Sequence, residues 1–98
     1  MLRAIVLHTR DNVAVVLGTG AAAAVCTLQG AQDGQVQLTM PIPYGHKVAV
    51  RAIKQGEDVI KYGEVVGRTT APINVGDHVH IHNVESLRGR GDLVRKGS

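Results

Sequence analysis

A small all-β domain, barrel-like and built from short strands and glycine turns, is what this sequence predicts, on three observations. The apolar residues are mostly Val, Ala, Leu and Ile, with no Phe or Trp and only Tyr44 and Tyr62 as large rings; such a core forms in thin β-branched layers, which suit strands. Twelve glycines and three prolines in 98 residues break the chain too often for long helices. The sequence also repeats itself: Ile53-Lys54-Gln55-Gly56-Glu57-Asp58-Val59 matches Ile73-Asn74-Val75-Gly76-Asp77-His78-Val79, each reading Ile-x-x-Gly-acid-x-Val. In each copy the glycine supplies the positive φ of a tight turn, the acid bonds to the turn's own backbone, and the valine opens a strand.

Taken in order, residues 2–7 and 13–17 form a hairpin around the turn signal Asp11-Asn12. Gly18-Thr19-Gly20 interrupts the chain but is no phosphate loop, because the rest of Gly-x-Gly-x-x-Gly and a following Lys-Ser/Thr are both missing. Residues 21–28 contain four alanines, yet the flanking glycines and Val25, Cys26 and Thr27 favour a strand over a short helix. Residues 35–40 alternate with period two, a half-buried strand that Pro41 and Pro43 end. Residues 46–53 form a strand or a single helical turn. Tyr62-Gly63-Glu64-Val65-Val66-Gly67-Arg68 is a short strand between two glycines, with Tyr62 packed in the core as one of only two large rings, and Ala71-Pro72 marks another corner.

Ninety-eight residues make one small domain. The single cysteine, Cys26, lies in an apolar run and is expected buried and reduced, which points to a cytoplasmic setting. Arg3, His8 and Arg10 interrupt the early apolar segment, so neither a signal peptide nor a membrane span is expected. Arg88, Arg90, Arg95 and Lys96 against Asp92 give the last thirteen residues the chain's whole net charge of +3. Residues 1–85 therefore read as the domain and 86–98 as a basic tail. With no aromatic side chain near that tail to stack bases, nucleic acid is not an expected partner.

The chemistry-bearing stretch is Gly76-Asp77-His78-Val79-His80-Ile81-His82-Asn83. Imidazoles at a spacing of two fit one strand, with all three on one face and Val79 and Ile81 on the other. Such a row reads either as a metal or acid/base site or as a solvated strand face. Another histidine, His46, sits in the turn-like Pro43-Tyr44-Gly45-His46-Lys47. His8 has no such context and is read as surface.

Three segments in this order and spacing, Gly45-His46-Lys47-Val48-Ala49, Ile60-Lys61-Tyr62-Gly63-Glu64-Val65-Val66-Gly67-Arg68 and Val79-His80-Ile81-His82-Asn83, resemble the SAF-type domain of the altronate/galactarate dehydratase family. They are similar also to the small subunit of sulfolactate sulfo-lyase. The resemblance implies a β-clip fold and a hydro-lyase that dehydrates a sugar acid, an altronate-like aldonate or an aldarate, to a 2-keto-3-deoxy acid. Sulfite elimination from a sulfonated hydroxy acid is the alternative reaction, and a non-catalytic docking or oligomerisation module is the alternative class. It further implies a large catalytic subunit as partner, toward which the tail leads, and an isolated chain without activity. Within the motifs, His46, His80 and His82 are the expected ligands of a divalent metal (iron, manganese or zinc), and Asn83 the group that binds a substrate hydroxyl. Lys47 and Lys61 are the expected counter-charges to the acid, or one of them the base; outside the motifs both would read as solvated charge. His78 falls outside the motif and is read as a bystander. Exposed strand edges leave room for a second copy of the chain.

Overall fold

The computed structural model describes residues 2–86, so most of the basic tail lies outside the described residues. Every regular element among them is a strand: β1 (Leu2–Val6), β2 (Val13–Val16), β3 (Val25–Gly30), β4 (Gly34–Gln37), β5 (Lys47–Ala49), β6 (Asp58–Lys61), β7 (Glu64–Thr69), β8 (His78–Val79) and β9 (Val84–Ser86). The first six-stranded sheet runs β4-β3-β1-β2-β5-β8 and a second, three-stranded sheet runs β6-β7-β9. The all-β expectation holds, and so does the β1–β2 hairpin, paired antiparallel through Ala4↔Val16 and Ile5↔Val15. No described helix is long and apolar enough to cross a membrane.

The core divides by strand face. Ala14 and Val16 of β2 and Val48 of β5 point into one cluster with Ala4, Val6, Cys26 and Leu38. Val13 and Ala49, from the opposite faces of the same two strands, point into another with Ile53, Val59, Ile73 and Val79. β2 and β5 are thus buried on both sides and join the two sheets. Each fully buried Val or Ile contributes about 1.5–3 kcal/mol, which is how a domain without Phe or Trp assembles a core. Cys26 is fully buried, and burial raises its thiol pKa.

One turn is used four times. Residues 20–26, 42–48, 53–59 and 73–79 each carry a hydrogen bond across a tight turn, Ala24 N–H to Ala21 C=O (3.1 Å), His46 to Pro43 (3.1 Å), Glu57 to Lys54 (3.0 Å) and Asp77 to Asn74 (3.0 Å). The third turn residue has positive φ in every case: Ala23, Gly45, Gly56 and Gly76. That is the type II geometry. The opening residues pair in twos, Gly20 with Ile42 and Ile53 with Ile73, as isolated antiparallel bridges. The repeat legible in the sequence as two copies is therefore four.

Four sequence expectations need correction. Residues 21–24 form the first of these turns, so the strand expected over 21–28 begins only at Val25. Gly67 lies inside β7 rather than beside it; a side chain there would fall against Val84 and the Glu85 carbonyl, so its absence lets β9 approach. Tyr62 is 68% exposed, because it occupies a two-residue turn rather than a strand facing the core. His8 is half-buried, its ring set against Gly63.

Candidate metal centre and adjoining groove

The strand expected to carry three histidines on one face is only two residues long. β8 pairs with β5 through Lys47↔Val79 and Val48↔His78 and then stops. The chain turns at residues 80–83 because Asn83 caps it: the His80 N–H donates to Asn83 Oδ1 (2.9 Å), Asn83 Nδ2 donates to the His78 carbonyl (2.8 Å), and the Asn83 N–H donates to the His80 carbonyl (3.1 Å). Asn83 is buried, its carboxamide engaged in holding His78 and His80. Ile81, at the tip, is 84% exposed.

The β5–β8 register explains which rings meet. One step beyond Lys47↔Val79, His46 faces His80; two steps the other way along β8, His78 lies on the same face. The ring centroids of His46 and His80 are 4.2 Å apart, those of His46 and His78 5.0 Å, and His46 Nδ1 lies 2.8 Å from His78 Nε2. One nitrogen from each of His46, His78 and His80 comes within 4.8 Å of the others, and all three residues are half-buried. His82 is carried outward by the turn, is exposed, and meets the His78 ring at a tilt of 41°, with centroids 5.1 Å apart. The compact triad thus contains His78, read from sequence as a bystander, in the place expected for His82.

The electrostatics favour neutral rings at His78 and His80. His78 has its pKa lowered to about 4, first by burial and then by His82, His46, His80 and Lys47. His80 is lowered also, by burial and then by His46, Lys47 and His82. Neutral imidazoles with a free lone pair are the form that ligates a cation, so the donor set fits a borderline transition ion. The His46–His78 separation of 2.8 Å is that of a hydrogen bond, so those rings would part slightly to share an ion.

Beside the triad opens a groove of ≈ 460 Å³ whose lining includes His80, Lys47, Lys61, Tyr62, Glu64 and Ile81. β5 delivers Lys47 and β6 delivers Lys61. The Lys47 pKa is lowered, chiefly by burial and then by the charge of Lys61. A register shift interrupts this wall between Val59 and Ile60, where β6 meets β7.

Sequence reasoning missed Asp11, fully buried beside this wall. Its carboxylate accepts the N–H groups of Tyr62 (2.8 Å), Gly63 (2.8 Å) and His8 (3.1 Å). An Asp-Asn dipeptide reads as a solvated turn, and only the distant pairing with residues 62–63 reveals the other use.

An all-β module with a histidine triad beside a groove that carries two lysines is the class that fold and site define. The chain belongs to the altronate/galactarate dehydratase SAF domain family, which matches residues 2–87. It is 51% identical over 56 residues to the (2R)-sulfolactate sulfo-lyase subunit alpha of Paracoccus pantotrophus, covering 57% of this chain and 84% of that subunit. To the subunit of the same name from Chromohalobacter salexigens it is 39% identical over 88 residues, covering 85% and 94%. To altronate dehydratase of Escherichia coli it is 40% identical over 80 residues, 82% of this chain but 16% of that enzyme.

Proposed function

We propose that this chain is the small component of a lyase that removes a proton beside a carboxylate and expels a leaving group one carbon further on. It supplies metal- and substrate-binding residues to a site that a larger partner subunit completes. The observation that carries this reading is the meeting of three half-buried imidazoles, one of which, His80, lines a groove together with Lys47 and Lys61. His46, His78 and His80 would hold a divalent ion, iron, manganese or zinc, which when bound supplies a Lewis acid for the charge that develops on substrate oxygens. The chain's own residues do the rest. The ammonium groups of Lys47 and Lys61 bind the acid group of the substrate and orient it. Lys47, its pKa lowered by burial and by Lys61, gives up its proton more readily than a solvated lysine, which suits it to proton exchange. Asn83 acts through the turn, fixing the rings of His78 and His80.

Two leaving groups fit this chemistry: water from a sugar acid, as the names of the dehydratases suggest, and sulfite from a sulfonated hydroxy acid. The 51% identity to a sulfolactate sulfo-lyase subunit favours sulfite. The test is to reconstitute the chain with its partner and assay altronate, galactarate and (2R)-sulfolactate. Alanine at His46, His78 or His80 is expected to abolish turnover and zinc binding together; turnover that survives in all three variants overturns the proposal.

A further inference from the structure

We propose that Tyr62 touches the substrate in the groove and that buried Asp11 is the positioning residue that holds it there; this deepens the function proposed above and rests on it. Lys61 and Glu64 pair across a two-residue turn in which both central residues have positive φ, 57° at Tyr62 and 74° at Gly63. That is a type I′ turn, for which Asn-Gly is the favoured pair. A tyrosine there is strained, since its Cβ crowds the following carbonyl. Packing does not offset the strain, because the side chain is 68% exposed. Backbone strain that serves no packing is characteristic of functional sites.

Tyr62 lines the groove together with Lys47, Lys61, Glu64 and His80. A phenol among two ammonium groups and an imidazole is a hydrogen-bond donor for an acid oxygen or hydroxyl. The turn is also fastened more firmly than chain reversal requires. Asp11 accepts the N–H groups of both turn residues, and the ring of His8 lies against Gly63, where only glycine leaves it room. Asn12, next in sequence, accepts the Ile60 N–H at 2.8 Å and donates to the Asp58 carbonyl at 2.9 Å. The β1–β2 loop thus grips β6 from its first strand residue to the turn beyond it, and the tyrosine rides on the gripped end.

The experiment compares Tyr62→Asn, Tyr62→Phe and Asp11→Asn in the reconstituted enzyme with altronate and (2R)-sulfolactate. Four quantities are read: kcat/KM, melting temperature of the full chain, zinc affinity, and co-elution with the partner. Tyr62→Asn supplies the residue the turn prefers, so the melting temperature is expected unchanged or raised. Zinc affinity and co-elution stay unchanged, while kcat/KM falls about tenfold or more. Tyr62→Phe raises KM with folding intact. Asp11→Asn turns a donor toward N–H groups that need an acceptor, and its effect on KM is expected to vanish when Tyr62→Asn is already present, a non-additivity that a general loss of stability does not produce. If Asp11→Asn does not fold, the two Tyr62 variants decide. A kcat/KM for Tyr62→Asn within twofold of wild type overturns the inference, as does a loss that follows from failed co-elution, which would make Tyr62 a docking residue. If His80→Ala abolishes turnover while Tyr62→Asn does not, this inference alone fails; a wild-type assembly that acts on none of the tested acids overturns both.

Discussion

The turn at residues 42–48 and the turns at 53–59 and 73–79 share one backbone but differ at the residue that closes them. In the latter two an acid reaches back to the turn's first residue: Glu57 Oε1 accepts the Lys54 N–H (2.8 Å) and Asp77 Oδ2 the Asn74 N–H (2.9 Å). In the first, the corresponding residue is Pro43, which has no N–H to offer. An acid would have nothing to bond, so the closing position is released from capping, and His46 occupies it. One repeated scaffold therefore serves stability in two places and presents an imidazole of the triad in a third.

The largest expected effect breaks the equivalence of the turn glycines. A side chain on Gly76 would overlap the Gln37 carbonyl oxygen, whereas nothing lies within 4 Å of one on Gly45 or Gly56. All three have positive φ. Gly56→Ala and Gly45→Ala should therefore cost only the left-handed strain, about 1–2 kcal/mol, and Gly76→Ala about 3 kcal/mol or more, because backbone must also move. Urea denaturation of the three variants checks this, and equal losses would mean that the turns are interchangeable after all.

The next effect exchanges the roles of two turns. Pro43→Ala with His46→Glu restores both the N–H and the acid of the sister turns. It is expected to be about 1 kcal/mol more stable than Pro43→Ala with His46→Ala, yet to bind zinc about 100-fold less tightly than wild type, a difference of about 2.7 kcal/mol. His82→Ala, which removes a ring outside the triad, should change zinc affinity by about threefold or less. Competition with a chromophoric chelator measures all of these.

A smaller effect comes from protons. His78 titrates at about 4 in the folded domain and near 6.5 in the unfolded chain, so between those values the unfolded chain holds more protons. Its contribution to stability is complete above about pH 6.5, declines as the pH falls toward 4, and is lost below that. His78→Gln is expected to flatten this part of the stability profile measured by denaturant melts from pH 7 to 4. A variant profile as steep as wild type would place the responsible group elsewhere.

What the sequence made legible follows from how local each cause is. The hairpin and the two acid-capped turns rest on neighbours in the chain, and alternation and turn chemistry reveal them; the meeting of His46 with histidines of the 78–82 stretch was legible only through the family resemblance. The end of β8 was hidden because Asn83 ends the strand from three residues further on, overriding a Val-His-Ile-His alternation that reads as continuous. The third turn was hidden because the acid that defines the repeat had become His46. Asp11 was hidden by distance: its partners Tyr62 and Gly63 are some fifty residues away, and a buried carboxylate is satisfied there by backbone alone. The parallel pairing of β1 with β3 is likewise invisible to local pattern, since nothing in residues 18–24 tells which edge the chain will rejoin.

The fourth turn gives the smallest and most discriminating effect. Residues 20–26 follow the same path as the other three, but Ala23 stands at φ 70° where the others have glycine. Its N–H donates to the Leu38 carbonyl at 2.8 Å, so the conformation is held by pairing with the end of the β4 segment rather than chosen by the residue. Ala23→Gly removes the left-handed crowding, about 1–2 kcal/mol, and adds about 0.5–1 kcal/mol of unfolded-state entropy. The expected outcome is a gain of about 0.5 kcal/mol, well within reach of denaturant melts. A loss instead of a gain would show that Ala23 is not strained, and that this turn departs from the type II pattern of its three sisters.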